Sequence, residues 1–186
     1  WDETLEIQMK KFVEILGYCE NASSWMADGK SLTEFNSAEL SKAFLWWTAK
    51  FDQINNNNEM KNKYDCTITE DGYCLITEEN AEKFLMSSIG QSDNSTMDYR
   101  DDKIMSMLGN VGSSGVENVT ITEITNISDT DIKVDGSVVF HAEGRITRNV
   151  SFSITMTANP DSMWGGYTLK NIDKWEEIAN PTMESI

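Results

Sequence analysis

The sequence predicts an α+β fold in which N-terminal helices pack on a curved antiparallel β-sheet. Three observations carry that prediction. Apolar residues recur at helical spacing through the first sixty positions, the period switches to two after residue 116, and clusters of Gly, Asn, Asp and Ser separate the periodic segments. The chain divides accordingly, as one domain over residues 1–186: a helical part (1–60), a hairpin plus helix (64–90), a connection (91–115) and a four-stranded antiparallel meander (116–178).

Residues 4–17 place Leu5, Met9, Phe12, Val13 and Leu16 on one helical face, with Gly17 expected as the terminator. Asn36 opens a second helix, and Glu39 three positions on completes a capping box. Leu40, Ala43, Phe44, Trp47, Phe51 and Ile54 form its apolar stripe and Trp46 widens it, so the helix reads as a core element. Asn55 to Asn58 end it with a polar run. "CTITEDGYCLIT" reads as a hairpin turning at Asp71-Gly72. A two-residue loop there pairs Thr69 with Cys74 and Cys66 with Thr77, which offsets the two cysteines along the ladder and predicts no bond between them. Thr77 caps a third helix with Ala81, Phe84, Leu85 and Ser88 on one face and Gly90 closing it. Residues 91–115 read as a long, partly ordered connection holding one apolar element, Ile104 to Leu108.

From there the pattern is that of strands. Ile132, Val134, Val138, Phe140 and Ala142 point one way in 131–143, and Ile146, Val150, Phe152, Ile154 and Met156 do so in 145–157, with polar residues between them. Glu143-Gly144 is the tight turn that joins the two. Arg148 interrupts the apolar row and is expected at the sheet rim. "NVTITEITNI" precedes this pair and "GGYTLKNIDKW" follows it, which completes the meander.

The order helix, helix, hairpin, helix and four antiparallel strands resembles the cystatin-like cone of the NTF2-like superfamily over most of residues 1–178. The closing segment is also similar to small uncharacterised extracellular or lipoprotein-borne domains of Gram-positive bacteria. The resemblance implies a curved sheet wrapped around helices, with any acid–base catalyst inside the cone.

Composition narrows the function. The formal charge is −16, from 31 acids against 15 bases, so phosphate backbones are repelled and nucleic-acid binding is excluded. No apolar run approaches the roughly 18 residues that span a bilayer, so no transmembrane segment is expected. The chain opens at Trp1 without an initiating Met, and Asn-x-Ser/Thr sequons stand at Asn21, Asn94, Asn118, Asn126 and Asn149. About three such sequons are expected by chance from the Asn, Ser and Thr content. Together these features place the expected location outside the cytoplasm, extracellular or tethered to the surface of a bacterial cell, with the sequons unused and a lipid anchor upstream as one tether.

Candidate chemistry is sparse. Cys19, Cys66 and Cys74 are an odd count without a CxxC pair, compatible with one disulfide plus one thiol or with three buried thiols. With a single histidine, no structural zinc site and no other metal site or cofactor is expected. His141 lies by parity with Lys133, Asp135 and Ser137 on the wet face of its strand, and Cys19 has no cationic neighbour in sequence, so no catalytic residue is assigned. What remains is "SMWGGY". Gly165-Gly166 reads as a bulge or bend that starts the last strand, and Trp164, Gly165, Gly166 and Tyr167 are the ligand-binding candidates if the segment instead lines the mouth of the cone. The function expected is non-catalytic binding of a small apolar ligand or of a protein partner. The alternatives are an NTF2-like enzyme acting on a hydrophobic small molecule and an acidic inhibitor of a basic cell-wall enzyme.

Overall fold

The computed structural model describes residues 1–21, 30–109 and 112–178. The second and third positions of the Asn21 sequon, residues 110–111 of the connection and the tail from residue 179 lie outside the described residues. The protein is α+β, built from helices and two separate antiparallel sheets. In chain order it forms α1 (Glu3–Asn21), a 3₁₀ turn (Leu32–Glu34), α2 (Ser37–Ile54), α3 (Glu59–Lys63), β1 (Thr67–Ile68), β2 (Tyr73–Ile76) and α4 (Glu78–Ile89). Six further strands follow: β3 (Asp98–Arg100), β4 (Lys103–Met107), β5 (Ser114–Asn126), β6 (Asp131–Ala142), β7 (Arg145–Ala158) and β8 (Tyr167–Glu177). The small sheet runs β1-β2-β4-β3 and the large one β5-β6-β7-β8.

The helix ends follow the local chemistry. Asp2 Oδ1 accepts from the N–H of Thr4 at 2.6 Å and so caps α1. Asn36 and Glu39 exchange side chain-to-backbone bonds of 2.8 and 2.9 Å, which is the expected capping box. Thr77 caps α4 and Gly90 closes it in a left-handed conformation. The buried faces of α1 and α2 meet each other, α1 lies along β5 and β6, and α4 lies on β8. One continuous hydrophobic cluster includes residues of all three long helices and both sheets.

Three local expectations are corrected. Gly17 does not end α1, which continues to Asn21. Its role is close approach, because a Cβ there would stand 2.7 Å from Val116 Cγ2 and 3.5 Å from Val138, so only glycine lets α1 settle on the large sheet. The stretch 91–115 is more ordered than its polar composition suggested, since β3 and β4 extend the hairpin into a four-stranded sheet. The hairpin loop has three residues rather than two: Thr69 N–H donates to Tyr73 O and Ile68 faces Cys74. Gly72, at φ 87°, supplies the left-handed residue that such a loop requires. Arg148 stands near the end of the large sheet, as expected, and is engaged there. Its guanidinium lies over the Phe140 ring at 4.6 Å and reaches Glu20 of α1 and Glu177 of β8, each at 2.6 Å.

Arg148 also explains a buried acid that sequence periodicity does not anticipate. Glu20 is 5% exposed, and its second oxygen accepts from Leu32 N–H at 2.8 Å. The carboxylate therefore ties the end of α1 to the start of the next segment and to the large sheet, with its charge compensated.

Placing a large side chain at Gly17 tests the close-packed junction. We expect Gly17→Leu to lower unfolding free energy by about 1–3 kcal/mol in chemical denaturation, the usual penalty for overpacking a filled core. An unchanged midpoint would return Gly17 to the role of an exposed terminator.

Candidate functional site

The segment singled out in the sequence forms a closed loop between β7 and β8. Asn159 N–H donates to Gly166 O, Ser162 Oγ donates to Tyr167 O at 2.6 Å, and Trp164 N–H donates to Ser162 Oγ at 3.1 Å. Gly165 and Gly166 have φ of 66° and 81°, a left-handed pair that lets the chain reverse direction immediately before β8. The glycines thus serve a bend that precedes the last strand rather than a bulge inside it.

The bend drives Trp164 inward. Its indole is 4% exposed, packs edge-on against Phe12 at 5.5 Å and Phe44 at 5.7 Å, and donates its N–H to Ser88 Oγ at 2.8 Å. A buried indole needs such a partner, and Ser88 of α4 supplies it. Tyr167 is half-buried and packs against the core at the start of β8.

Above Trp164 opens a cleft of about 80 Å³ between α1 and α2. Gln8, Lys11 and Ile15 of α1 recur at helical spacing on one wall, with Glu14 beside them; Thr48, Phe51 and Asp52 of α2, with Asn55 capping its end, form the other. Asn57, Glu59, Met163 and Trp164 close it. Of the four predicted site residues, the structure brings only Trp164 to this cleft, joined by Met163; Gly165, Gly166 and Tyr167 do not line it.

The cleft has an apolar floor and an acidic rim. Ile15, Phe51, Met163 and Trp164 make the floor, and Glu14, Asp52 and Glu59 outnumber Lys11 around it. Asp52 is engaged: Oδ1 accepts from the N–H groups of Glu59 and Met60 at 2.8 and 3.2 Å, and Oδ2 from that of Lys61 at 3.0 Å. A carboxylate there satisfies the free donors at the start of α3 and fixes the loop 55–58. The side chains of Lys11, Glu14 and Glu59 form no ion pair among the described residues. Burial raises the Glu14 carboxyl above its ordinary pKa. Thr48, 3% exposed, keeps its hydroxyl without a hydrogen-bond partner. Of the cleft residues, the sequence pointed to Trp164 alone as a ligand candidate and read Phe51 as core.

The other chemical candidates lie apart. His141 is half-buried at the Gly115–Ile146 row of the large sheet, on the face away from Val138 and Phe140. Cys19 is fully buried, and desolvation holds its thiol well above the ordinary value, so it is no nucleophile. No cluster of three or more His, Cys, Asp or Glu side chains able to hold a metal occurs among the described residues, and no helix among them is long and apolar enough to cross a membrane. No protein-family model, no curated protein and no solved structure matches this chain.

Two substitutions separate the packing of this loop from a ligand-facing role. Trp164→Ala should cost about 3–5 kcal/mol because the indole fills a closed space, and Gly166→Val about 1–3 kcal/mol because it forces a branched residue into a left-handed conformation. Thermal melts that leave both variants at the wild-type midpoint would mean that the loop is not built for the core.

Proposed function

We propose that the chain is a non-catalytic binding module, working outside the cytoplasm, that recognises a cationic protein partner by seating one lysine or arginine side chain in the cleft between α1 and α2. The observation that carries this reading is the cleft's composition at its size. A cationic side chain has an apolar stem and a charged head, and the cleft offers an apolar floor, an acidic rim whose Glu14 and Glu59 make no ion pair among the described residues, and a buried, unpartnered Thr48 hydroxyl beside it. A cleft of about 80 Å³ suits one side chain, whereas pockets for drug-sized ligands run to roughly 300–1,000 Å³. At this cleft, that size weighs against a drug-sized apolar ligand. The inward face of the large sheet is filled by Val134, Val138, Phe140, Val150 and Phe152, buried in the same hydrophobic cluster as the α1 side chains, which weighs against a cone-type enzyme acting on a hydrophobic substrate. The charge of −16 adds long-range attraction for a basic partner and raises its encounter rate.

A trilysine amide is the direct probe. Followed by backbone amide shifts, it should give saturable changes confined to residues 8–15, 48–59 and 163–164, weakened by added salt. Shifts spread evenly over the acidic surface, or none, would defeat the reading.

Glu14→Gln supplies the pH test. A carboxyl whose folded pKa is raised contributes stability that is fully present below its unfolded value near 4.5 and is lost as pH rises through the folded value. The Gln variant escapes that loss. We therefore expect it to melt higher than wild type at pH 7, to match wild type at pH 3.5, and to bind trilysine more weakly at pH 7. A variant that loses stability at pH 7 would show that Glu14 is a packing residue rather than one held for a partner.

A further inference from the structure

A second groove, of about 530 Å³, opens where α3 and α4 meet the loop between β7 and β8. That volume lies within the roughly 300–1,000 Å³ of small-molecule sites. Its floor is fixed by the fold. Tyr64 and Ser87, 6% and 7% exposed, are hydrogen-bonded through their hydroxyls at 3.1 Å, and Ser87 Oγ donates onward to Phe84 O. Asn80 of α4 is anchored beside them, with Nδ2 donating to Tyr64 O at 3.0 Å. On the loop, Asn159 donates through Nδ2 to Thr168 Oγ1 at 3.1 Å and accepts at Oδ1 from Asp161 N–H at 3.0 Å. The position of Asp161 is therefore tied to the start of β8.

Two opposite charges in this groove have no ionic partner. Lys63 Nζ donates to the backbone carbonyl of Asp161 and lies over the Tyr64 ring at 5.9 Å, yet it makes no ion pair among the described residues. The Asp161 carboxylate makes none either. The two charges stand close because one ammonium is bonded to the main chain of the residue that carries the other charge. Beside them Met86 of α4 presents its side chain at 47% exposure, an apolar and adaptable surface. Lys83, one turn before it, adds a cation at the rim whose one ion pair, with Glu79 at 3.2 Å, is exposed and weak.

We propose that this groove binds a free α-amino acid with an apolar side chain. Lys63 takes the ligand's carboxylate with the N–H donors that Asp161 O leaves free, Asp161 takes its ammonium, and Met86 carries its side chain. A simple anion would leave the Asp161 carboxylate unpaired beside it, and a simple cation would do the same to Lys63. A zwitterion compensates both. It is also neutral overall, so the charge of −16 does not repel it as it repels an anion. The groove shares no lining residue with the cleft between α1 and α2, and the assignment does not depend on that reading.

L-leucine is the probe, titrated into the native chain and followed by backbone amide shifts. N-acetyl-L-leucine, which lacks the ammonium, and L-leucinamide, which lacks the carboxylate, are the controls. We expect saturable changes with leucine confined to residues 63–64, 80–87 and 159–161, and affinity lower by about tenfold or more for each analogue, the usual effect of leaving one charged group unpaired. Asp161→Asn should remove the preference for leucine over N-acetyl-leucine, and Lys63→Met the preference over leucinamide. Both positions are exposed, so both variants should melt with wild type and keep trilysine binding at the other cleft. No saturable change with leucine, equal affinity for either analogue, or shifts that fall on the α1–α2 cleft would each overturn the proposal.

Discussion

The aromatic junction around Trp164 is the constraint on which the rest of the fold depends. Phe12 of α1, Phe44 of α2 and Phe84 of α4 approach one another in sequence, with Phe12–Phe44 at 5.3 Å and Phe44–Phe84 at 5.9 Å, and Trp164 is driven edge-on against the first two. Tyr64, at the end of α3, adds a further edge-on contact to Phe84 at 5.4 Å. Removing a tryptophan from water buries about 150–250 Å², or about 4–6 kcal/mol of gross stabilisation. The bonds that orient Trp164 run through Ser88 and Ser162, so the helices and the β7–β8 loop cannot shift independently. The left-handed glycines are a consequence: without them the loop could not turn the indole inward and still start β8 in register.

A net charge of −16 on this core raises the question of where repulsion is contained. The acids that enter the interior are compensated there. Glu20 is held by Arg148 and a backbone N–H, and Asp52 by three backbone N–H groups at the start of α3. On the surface, Asp71 is held well below the ordinary carboxylate range by hydrogen bonds from Arg100 and Thr69, and Asp131 is lowered chiefly by Lys170. Glu14 has no such compensation, and its desolvation runs the other way. Charge alone therefore does not mark the cleft; unpaired charge beside apolar surface does.

Sequence reading reached the fold class and most of the elements because periodicity, caps and turns are local properties. Asn36 with Glu39, Thr77 with Gly90, and Glu143-Gly144 each announce a boundary within a few residues. It failed where the deciding contact was distant. Gly17 has the same local signature as a helix terminator, and only Val116, a hundred positions away, reveals it as a packing glycine. Arg148 depends on Glu20 and Glu177, and the hairpin register on whether Gly72 closes a loop of two residues or three. The cleft was the least legible part. Its walls come from helices whose apolar stripes were visible, but Thr48, Asp52 and Glu59 carry no motif, and Trp164 was noticed for its glycines rather than for the space above it.

Unpartnered polar atoms occur elsewhere, so the weight placed on Thr48 must come from its surroundings. Trp175 offers the useful contrast: its indole N–H is also buried without a partner, and it borders a groove with Glu20, Lys30, Ser31, Glu34, Arg148 and Glu177. There Arg148 already spans two carboxylates and Lys30 holds Glu39, so an incoming charge would have to break pairs that stabilise the junction of α1 with the large sheet. At the cleft beside Thr48 the order is reversed. Glu14 loses stability by being ionised where it sits, Glu59 is unpaired, and Asp52 holds the rim in place through backbone donors that a ligand does not disturb. A cation arriving there relieves an unfavourable arrangement instead of replacing a favourable one, and binding energy is available only in the first case. The two grooves are similar in their residue types; the difference between the structural junction and the proposed binding cleft lies in which charges the fold has already used.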